Sequence, residues 1–371
     1  MNVISSPEQE WKILKADLDA SPDLEQKIEA IRLFTHRRQK EIESKDASGS
    51  MTLEELFRSL SNLAEGVFRG AFDVATQDLL ARFTPPRGPF AVVAMGKFGA
   101  GEITYRSDLD LIYLYEEPQD QEFYARLATR IISVLTLLTR NGYAYKIDVG
   151  LRPSGNAGAL VASLTSFCEY HQNEAQVWEK QALIKARSLP MTGNDTFIKK
   201  LEEEFTRITF RPCSLPSDSS AIATEISRLR KRMEFEIARE KPGLINLKTG
   251  RGGIVDIEFS VQFLQLIHGF DCPSLRVRGT LEALTSLSRE RILPEKMAQE
   301  LSEAYLFLRR IETRLRQVLD QSTDELRETS PCVKVIEEKY LGFSLLPALK
   351  KTRERVRILY EEVLKNDPPS L

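Results

Sequence analysis

Cysteine and histidine are scarce in this chain. Four cysteines (Cys168, Cys213, Cys272 and Cys332) are scattered over 371 residues, and none forms a C-x-x-C pair. That spacing disfavours a zinc site or a disulfide framework and suits a reducing cytoplasm. With only three histidines (His36, His171 and His268), a metal site built from imidazole has little to draw on. Carboxylates are the ligands to look for. An excess of one charge sign is also missing, with 52 Lys+Arg against 54 Asp+Glu and a formal net charge of −2. An extended duplex-DNA surface or a polybasic membrane surface needs a basic excess, so neither nucleic acid nor membrane is an expected partner. No apolar run approaches the roughly 18 residues that a spanning helix needs. The opening stretch MNVISSPEQEW turns polar at once, which predicts no secretory signal and a cytoplasmic location.

What is present is ordinary globular material, 42% hydrophobic and 29% charged residues, enough for a sizeable core. The length predicts about two or three domains. Ser6-Pro7-Glu8-Gln9 reads as a capping box with Pro at the first helical position, and Ser21-Pro22 repeats the Ser-Pro start. Thr52-Leu53-Glu54-Glu55 opens a helix expected to reach about Phe83, with Leu53, Leu56, Leu60, Leu63, Val67 and Phe68 on one face. Lys45 to Ser50 is a polar loop, and Thr84-Pro85-Pro86-Arg87-Gly88-Pro89 is a breaker that predicts a domain boundary. Strands are then expected over Phe90–Met95, Ser107–Tyr115 and Tyr143–Leu151, with an amphipathic helix over Glu122–Arg140 and a turn at Asn141-Gly142. Beyond a proline-containing linker at 211–220 (Pro212, Pro216), helical periodicity dominates. Ile222, Ile226, Leu229, Met233 and Ile237 form one stripe, and a long helix is expected over Glu295–Glu328. The expected architecture is multi-domain α+β: a helical segment (1–84), a mixed sheet with helices (85–210) and an all-α bundle (211–371).

Asp108 and Asp110 sit one residue apart in an apolar strand context, so alternation puts both on one face. Paired carboxylates repel and cost desolvation, and such a pair persists where a cation sits between them. Mg²⁺ is the natural candidate. The glycine-rich turn Gly96 to Gly101 follows an apolar strand, a place where backbone N–H groups can meet phosphate oxygens, although a tight turn alone would also need glycine. Asp148 lies in another apolar stretch and can complete a trio. Three carboxylates can hold two Mg²⁺ ions, with Asp148 also able to accept a proton, which is the chemistry of nucleotidyl transfer.

The run from Ala94 to Ile112 (AMGKFGAGEITYRSDLDLI) resembles the glutamine-synthetase adenylyltransferase family of the polymerase-β-like nucleotidyltransferases. So do IDVGLRPSGNAGALVASL from Ile147, NEAQVWEKQALIKAR from Asn173, which looks like a helix, and LKTGRGGIVDIEFSVQFL from Leu247. The resemblance implies a polymerase-β-like sheet and transfer of AMP from ATP to a tyrosine of glutamine synthetase, with pyrophosphate released. It implies Asp108, Asp110 and Asp148 as catalytic and metal-binding residues for a two-ion Mg²⁺ site. Gly96, Lys97, Gly99, Ser107, Arg152 and Lys185 are the nucleotide-side candidates. Family members carry two transferase units and answer to the PII signalling protein. This chain has one unit, and Pro153-Ser154-Gly155 and Asn173-Glu174-Ala175 look more like the attaching one.

One position departs from the pattern. The family reads Asp-x-Arg-Leu-Arg-Pro at the third acid, and this chain reads Asp148-Val149-Gly150-Leu151-Arg152-Pro153. Losing a charge-assisted phosphate contact costs about 1.5–3 kcal/mol, which predicts a weaker or retuned ATP site unless Arg152 compensates. Elsewhere, Lys185 and Arg187 read as either surface partners of Glu174 and Glu179 or phosphate and site support. Thr249-Gly250-Arg251-Gly252-Gly253 reads as a ligand-approaching loop or a flexible turn. Asp256 reads as a helix-dipole acid, and Arg228, Arg230, Lys231 and Arg232 as a solvated face. His171 and His268 receive no role. Two further readings stay open: nucleotidyl transfer to another acceptor such as RNA ends or a small molecule, and a degenerate unit kept for binding PII or glutamine synthetase.

Overall fold

The computed structural model describes residues 4–189, 191, 195–210 and 219–365. Most of the 211–220 linker, with Pro212, Cys213 and Pro216, lies outside the described residues. The chain is mostly helical with a small mixed sheet, in two compact units: residues 1–175 with 185–205, and 176–184 with 206–371. Among the described residues no helix is long and apolar enough to cross a membrane.

The first unit opens with three helices, α1 (Pro7–Asp19), α2 (Leu24–Ala47) and α3 (Leu53–Leu80). The capping boxes at Ser6 and Thr52 both form, each hydroxyl accepting the N–H of the third helical residue. The second Ser-Pro does not cap a helix. Asp23 caps α2 instead, because its carboxylate reaches the Gln26 N–H at 2.8 Å.

The sheet contains β1 (Phe90–Ala94), β2 (Leu109–Tyr115), β3 (Ile147–Asp148), β4 (Val161–Ser163) and β5 (Arg187–Leu189). Its order is β3-β2-β1-β5, with β4 also pairing β2. The β1 strand is antiparallel to β2 and β5, whereas β3 and β4 lie parallel to β2 at its two ends. Helix α5 (Gln121–Thr136) makes the crossover that a parallel β2–β3 pair requires. Residues 84–89 connect α3 to β1 within one compact unit, and the helix and the strands share a hydrophobic core, since Phe68, Phe72 and Val74 cluster with Phe90, Val92 and Tyr113.

Several expected elements are shorter than the sequence suggested: β2 begins at Leu109 rather than Ser107, and α5 ends at Thr136 rather than Arg140. The strand read over Tyr143–Leu151 is only Ile147–Asp148, because the chain turns at Gly150. The helix read across Asn173–Arg187 is only α7 (Val177–Leu183), between α6 (Leu164–Asn173) and β5. Helix α8 (Asp195–Phe210) follows.

The second unit is a helical bundle with one small hairpin-like pair, β6 (Leu244–Asn246) with β7 (Glu325–Arg327). Its helices include α9 (Ser219–Arg232), α10 (Ile254–His268), α11 (Thr280–Arg289), α12 (Glu295–Leu319), α13 (Pro331–Ile336) and α14 (Leu345–Lys365). Helix α12 stops nine residues short of the expected Glu328, because Asp320 takes a left-handed φ of 52° and the chain turns toward β7. Ile222 and Ile226 of α9 are buried, but Ile237 is 60% exposed. The backbone widens to a π-turn at Met233–Ala238 and rotates the end of that stripe out of the core.

Candidate active site

Asp110 in β2 and Asp148 in β3 are register partners across the parallel pair. Register partners in a ladder project to one face, so the two carboxylates share it. Asp108 sits just before the first residue of β2 and is exposed. Asp110 is half-buried and Asp148 exposed. The β2–β3 ladder begins where Leu109 N–H donates to the Lys146 carbonyl at 2.9 Å.

Gly96 opens α4 (Gly96–Ala100) with φ +52°, and a Cβ placed there would lie 2.4 Å from Asp110 Oδ2. The neighbouring Met95 N–H donates to the Asp110 carbonyl at 2.9 Å. The glycine is therefore needed for the acid to approach the helix start, a role beyond the phosphate contact and the tight turn that the sequence offered for it. Gly99 has a different constraint. A Cβ there would meet the Lys185 carbonyl oxygen at 1.9 Å, so α4 packs directly on the backbone after α7.

Lys185 is on neither a helix nor the surface. It is buried, with Nζ 3.4 Å from Glu102 Oε2, rather than on a surface. Arg187 belongs to β5, opposite Ala94. Its guanidinium binds Glu65 at 2.7 Å and donates to the Gly99 and Phe98 carbonyls at 3.3 and 3.5 Å, satisfying the last carbonyls of α4. Ser107 is buried in a turn, where its Oγ accepts the Thr104 N–H at 3.2 Å. Lys97 is half-buried in the first turn of α4.

Past Asp148 the alternation argument fails, since β3 has ended. Gly150 N–H donates to Asp148 Oδ1 at 2.7 Å, and a side chain at 150 would start 3.0 Å from that oxygen. Arg152 faces its own loop instead. Its guanidinium donates to the carbonyls of Val149 (2.7 Å), Gly158 (3.2 Å) and Asn156 (3.3 Å) and to Asn156 Oδ1 (3.3 Å).

The donors at β2 and β3 are carboxylates with no thiol or imidazole among them, a set that suits a hard divalent cation. Among the described residues, however, no three His, Cys, Asp or Glu side chains stand close enough to hold a metal ion as they are placed.

The family model for glutamate-ammonia ligase adenylyltransferase matches residues 2–203, more than half of the chain. The chain belongs to this family. A second family model, GlnD PII-uridylyltransferase, matches residues 227–364. The "bifunctional glutamine synthetase adenylyltransferase/adenylyl-removing enzyme" of Chromobacterium violaceum is 34% identical over 364 residues, 96% of this chain. The chain spans only 38% of that relative's length. The adenylyltransferase-family match covers both acid-bearing strands and the glycine turn.

In the second unit, two readings change. Arg230 is not on a solvated face but buried, and Asp256 is fully buried rather than a surface dipole acid. They form an ion pair, Asp256 also accepts the Gly252 N–H at 2.7 Å, and Arg230 donates to the Gly250 carbonyl at 2.7 Å. The Thr249–Gly253 loop is thus pinned from both sides. The charge run hid this, because Arg230 continues the Ile222–Ile226 spacing by four residues and that periodicity was the available signal.

Proposed function

We propose that this chain is a Mg²⁺-dependent nucleotidyltransferase that moves AMP from ATP to a tyrosine hydroxyl of glutamine synthetase in the cytoplasm. The Asp110–Asp148 register pair, beside the glycine-opened α4, is the observation that carries the reading. It is supported by the adenylyltransferase-family match over residues 2–203. On this reading the sheet is a polymerase-β-like nucleotidyltransferase core at 85–210, between an N-terminal helical segment and a C-terminal bundle.

Asp148 accepts the tyrosine proton, the phenolate oxygen bonds to the α-phosphorus, and the α–β phosphoanhydride bond breaks to release pyrophosphate. Asp108, Asp110 and Asp148 would hold Mg²⁺, which when bound neutralises triphosphate charge and acidifies the attacking hydroxyl. Gly96 lets the Asp110 carboxylate lie against the α4 start, where Lys97 and the first N–H groups face the phosphates. Lys185, Arg187, Ser107 and Arg152 shape the site through the Glu102 pair, the α4 carbonyls, the 104–107 turn and the 149–158 loop. The PII signalling protein is a proposed regulatory partner, in keeping with the match of residues 227–364.

Mass spectrometry of glutamine synthetase after incubation with this chain, ATP and Mg²⁺ tests the proposal. A gain of one AMP on a tyrosine, absent with Asp110→Asn, supports it; label on RNA instead of protein sinks it. A second reading, a binding module without transferase activity, draws on Gly150 and on the spread of the three acids. Pyrophosphate release by the wild-type chain rejects that reading, and binding of glutamine synthetase without release favours it.

A further inference from the structure

Helix α2 carries four polar side chains, Glu29, Arg32, His36 and Gln39, at spacings of three, four and three, which puts them on one helix face. All four bind the segment that leads into β3. Glu29 accepts from Asn141 Nδ2 and, at 3.4 Å, from Thr139 Oγ1. Arg32 donates twice to the Leu137 carbonyl, at 3.1 and 2.6 Å. His36 Nε2 donates to the Tyr143 carbonyl at 3.0 Å, and Gln39 Nε2 to the Tyr145 hydroxyl at 3.5 Å. The bound residues, 137, 139, 141, 143 and 145, span the tight Thr139–Gly142 turn and the stretches on either side of it.

This stripe supplies what the sheet does not. The β3 strand is an edge strand with two register pairs, too short to fix its own position by ladder bonds. Two of the stripe's contacts grip backbone carbonyls, and the last grips Tyr145, three residues before Asp148. Arg32 is 1% exposed, so its bonds to the Leu137 carbonyl are shielded from water, and the hydrogen bond from Asn141 holds the Glu29 carboxyl below its ordinary range.

We propose that the Glu29–Arg32–His36–Gln39 face of α2 positions Asp148 opposite Asp110, so that the N-terminal helices are part of the transfer machinery without touching nucleotide. The kinetic part of this proposal rests on the function proposed above. The positioning part does not.

The experiment uses the full chain with His36→Leu, Asn141→Ala and the donor-retaining His36→Gln. Amide hydrogen exchange and steady-state AMP transfer to glutamine synthetase are both read. The expected result in His36→Leu and Asn141→Ala is exchange at least about tenfold faster across residues 143–148, with β1 unchanged, and near-wild-type exchange in His36→Gln. Transfer should lose at least about tenfold in kcat with KM for ATP within about twofold, the pattern of a misplaced catalytic group. Unchanged exchange, or acceleration spread evenly over the first unit, overturns the proposal. So does faster local exchange with kcat intact. If the wild type transfers no AMP, the proposed function fails, and exchange alone decides whether the stripe holds β3.

Discussion

Asp110 and Asp148 face each other as register partners on parallel strands, and the Gly150 N–H holds one Asp148 oxygen at 2.7 Å. Aligned carboxylates at one sheet end repel each other, and removing one charge relieves that repulsion. Asp148→Asn and Asp110→Asn keep shape and hydrogen bonding while deleting charge. Both should reduce AMP transfer by about 100-fold or more at temperatures where circular dichroism reports a folded chain. Wild-type transfer in either variant would show that the acid it replaces takes no part in the reaction.

Gly96→Ala should harm the site through Asp110. The backbone there has φ +52°, and the added methyl would sit 2.4 Å from Asp110 Oδ2. The left-handed backbone alone costs about 1–2 kcal/mol for an L-residue. The carboxylate must also swing away. Transfer activity should therefore fall further than the stability loss explains, seen as reduced kcat at temperatures where circular dichroism reports a fully folded chain. Full activity in this variant would mean the Asp110 orientation is set elsewhere.

Gly150→Arg restores a cation beside the third acid. The residue no longer shares a strand face with Asp148, but its Cβ would stand 3.0 Å from Asp148 Oδ1, so the proximity survives by another geometry. Calorimetry should find ATP bound about tenfold or more tightly, the equivalent of one charge-assisted phosphate contact. Equal affinity would mean that position 150 does not see the nucleotide.

The parts of the fold that the sequence announced were those encoded locally. The Ser6 and Thr52 capping boxes formed because both partners lie within one turn, and the apolar stripe of α3 followed from its spacing. The three acids were legible as residues, and the β2–α5–β3 crossover that aligns Asp110 with Asp148 follows from strand–helix–strand order. What stayed hidden depended on distant partners. The 143–151 stretch alternates like a strand, yet Tyr143 and Tyr145 are held by α2 side chains about a hundred residues away. Lys185 and Arg187 looked like helix-surface charges because Glu102 and Glu65, their actual partners, are far off in sequence.

His268, at the end of α10, gives the second unit a pH dependence of definite sign. Burial pushes its pKa below the ordinary 6.5, and Asp271 only partly opposes that. The unfolded chain therefore takes up the proton more readily, so the stability contributed by neutral His268 is intact above about pH 6.5 and declines as pH falls toward the folded value. Urea midpoints between about pH 7.5 and 5.5 should drop less steeply in His268→Gln than in wild type. Parallel slopes would assign the acid sensitivity to other groups.

The Arg230–Asp256 pair should show the asymmetry of buried ions. With side chains 1% and 0% exposed, neither charge can be rescued by water once its partner is gone. Arg230→Met leaves Asp256 with Arg357 at 3.6 Å and the Gly252 N–H, and should cost about 3–5 kcal/mol. Asp256→Asn keeps an acceptor for that N–H and should cost less. The double variant should be milder than the sum, since it strands no opposite charge. Trp178 fluorescence in a Trp11→Phe background reports the second unit alone, because the chain has two tryptophans and only Trp178 lies there. Additive losses would mean that the two side chains stabilise the loop independently, through Gly250 and Gly252, and that the ion pair itself contributes nothing.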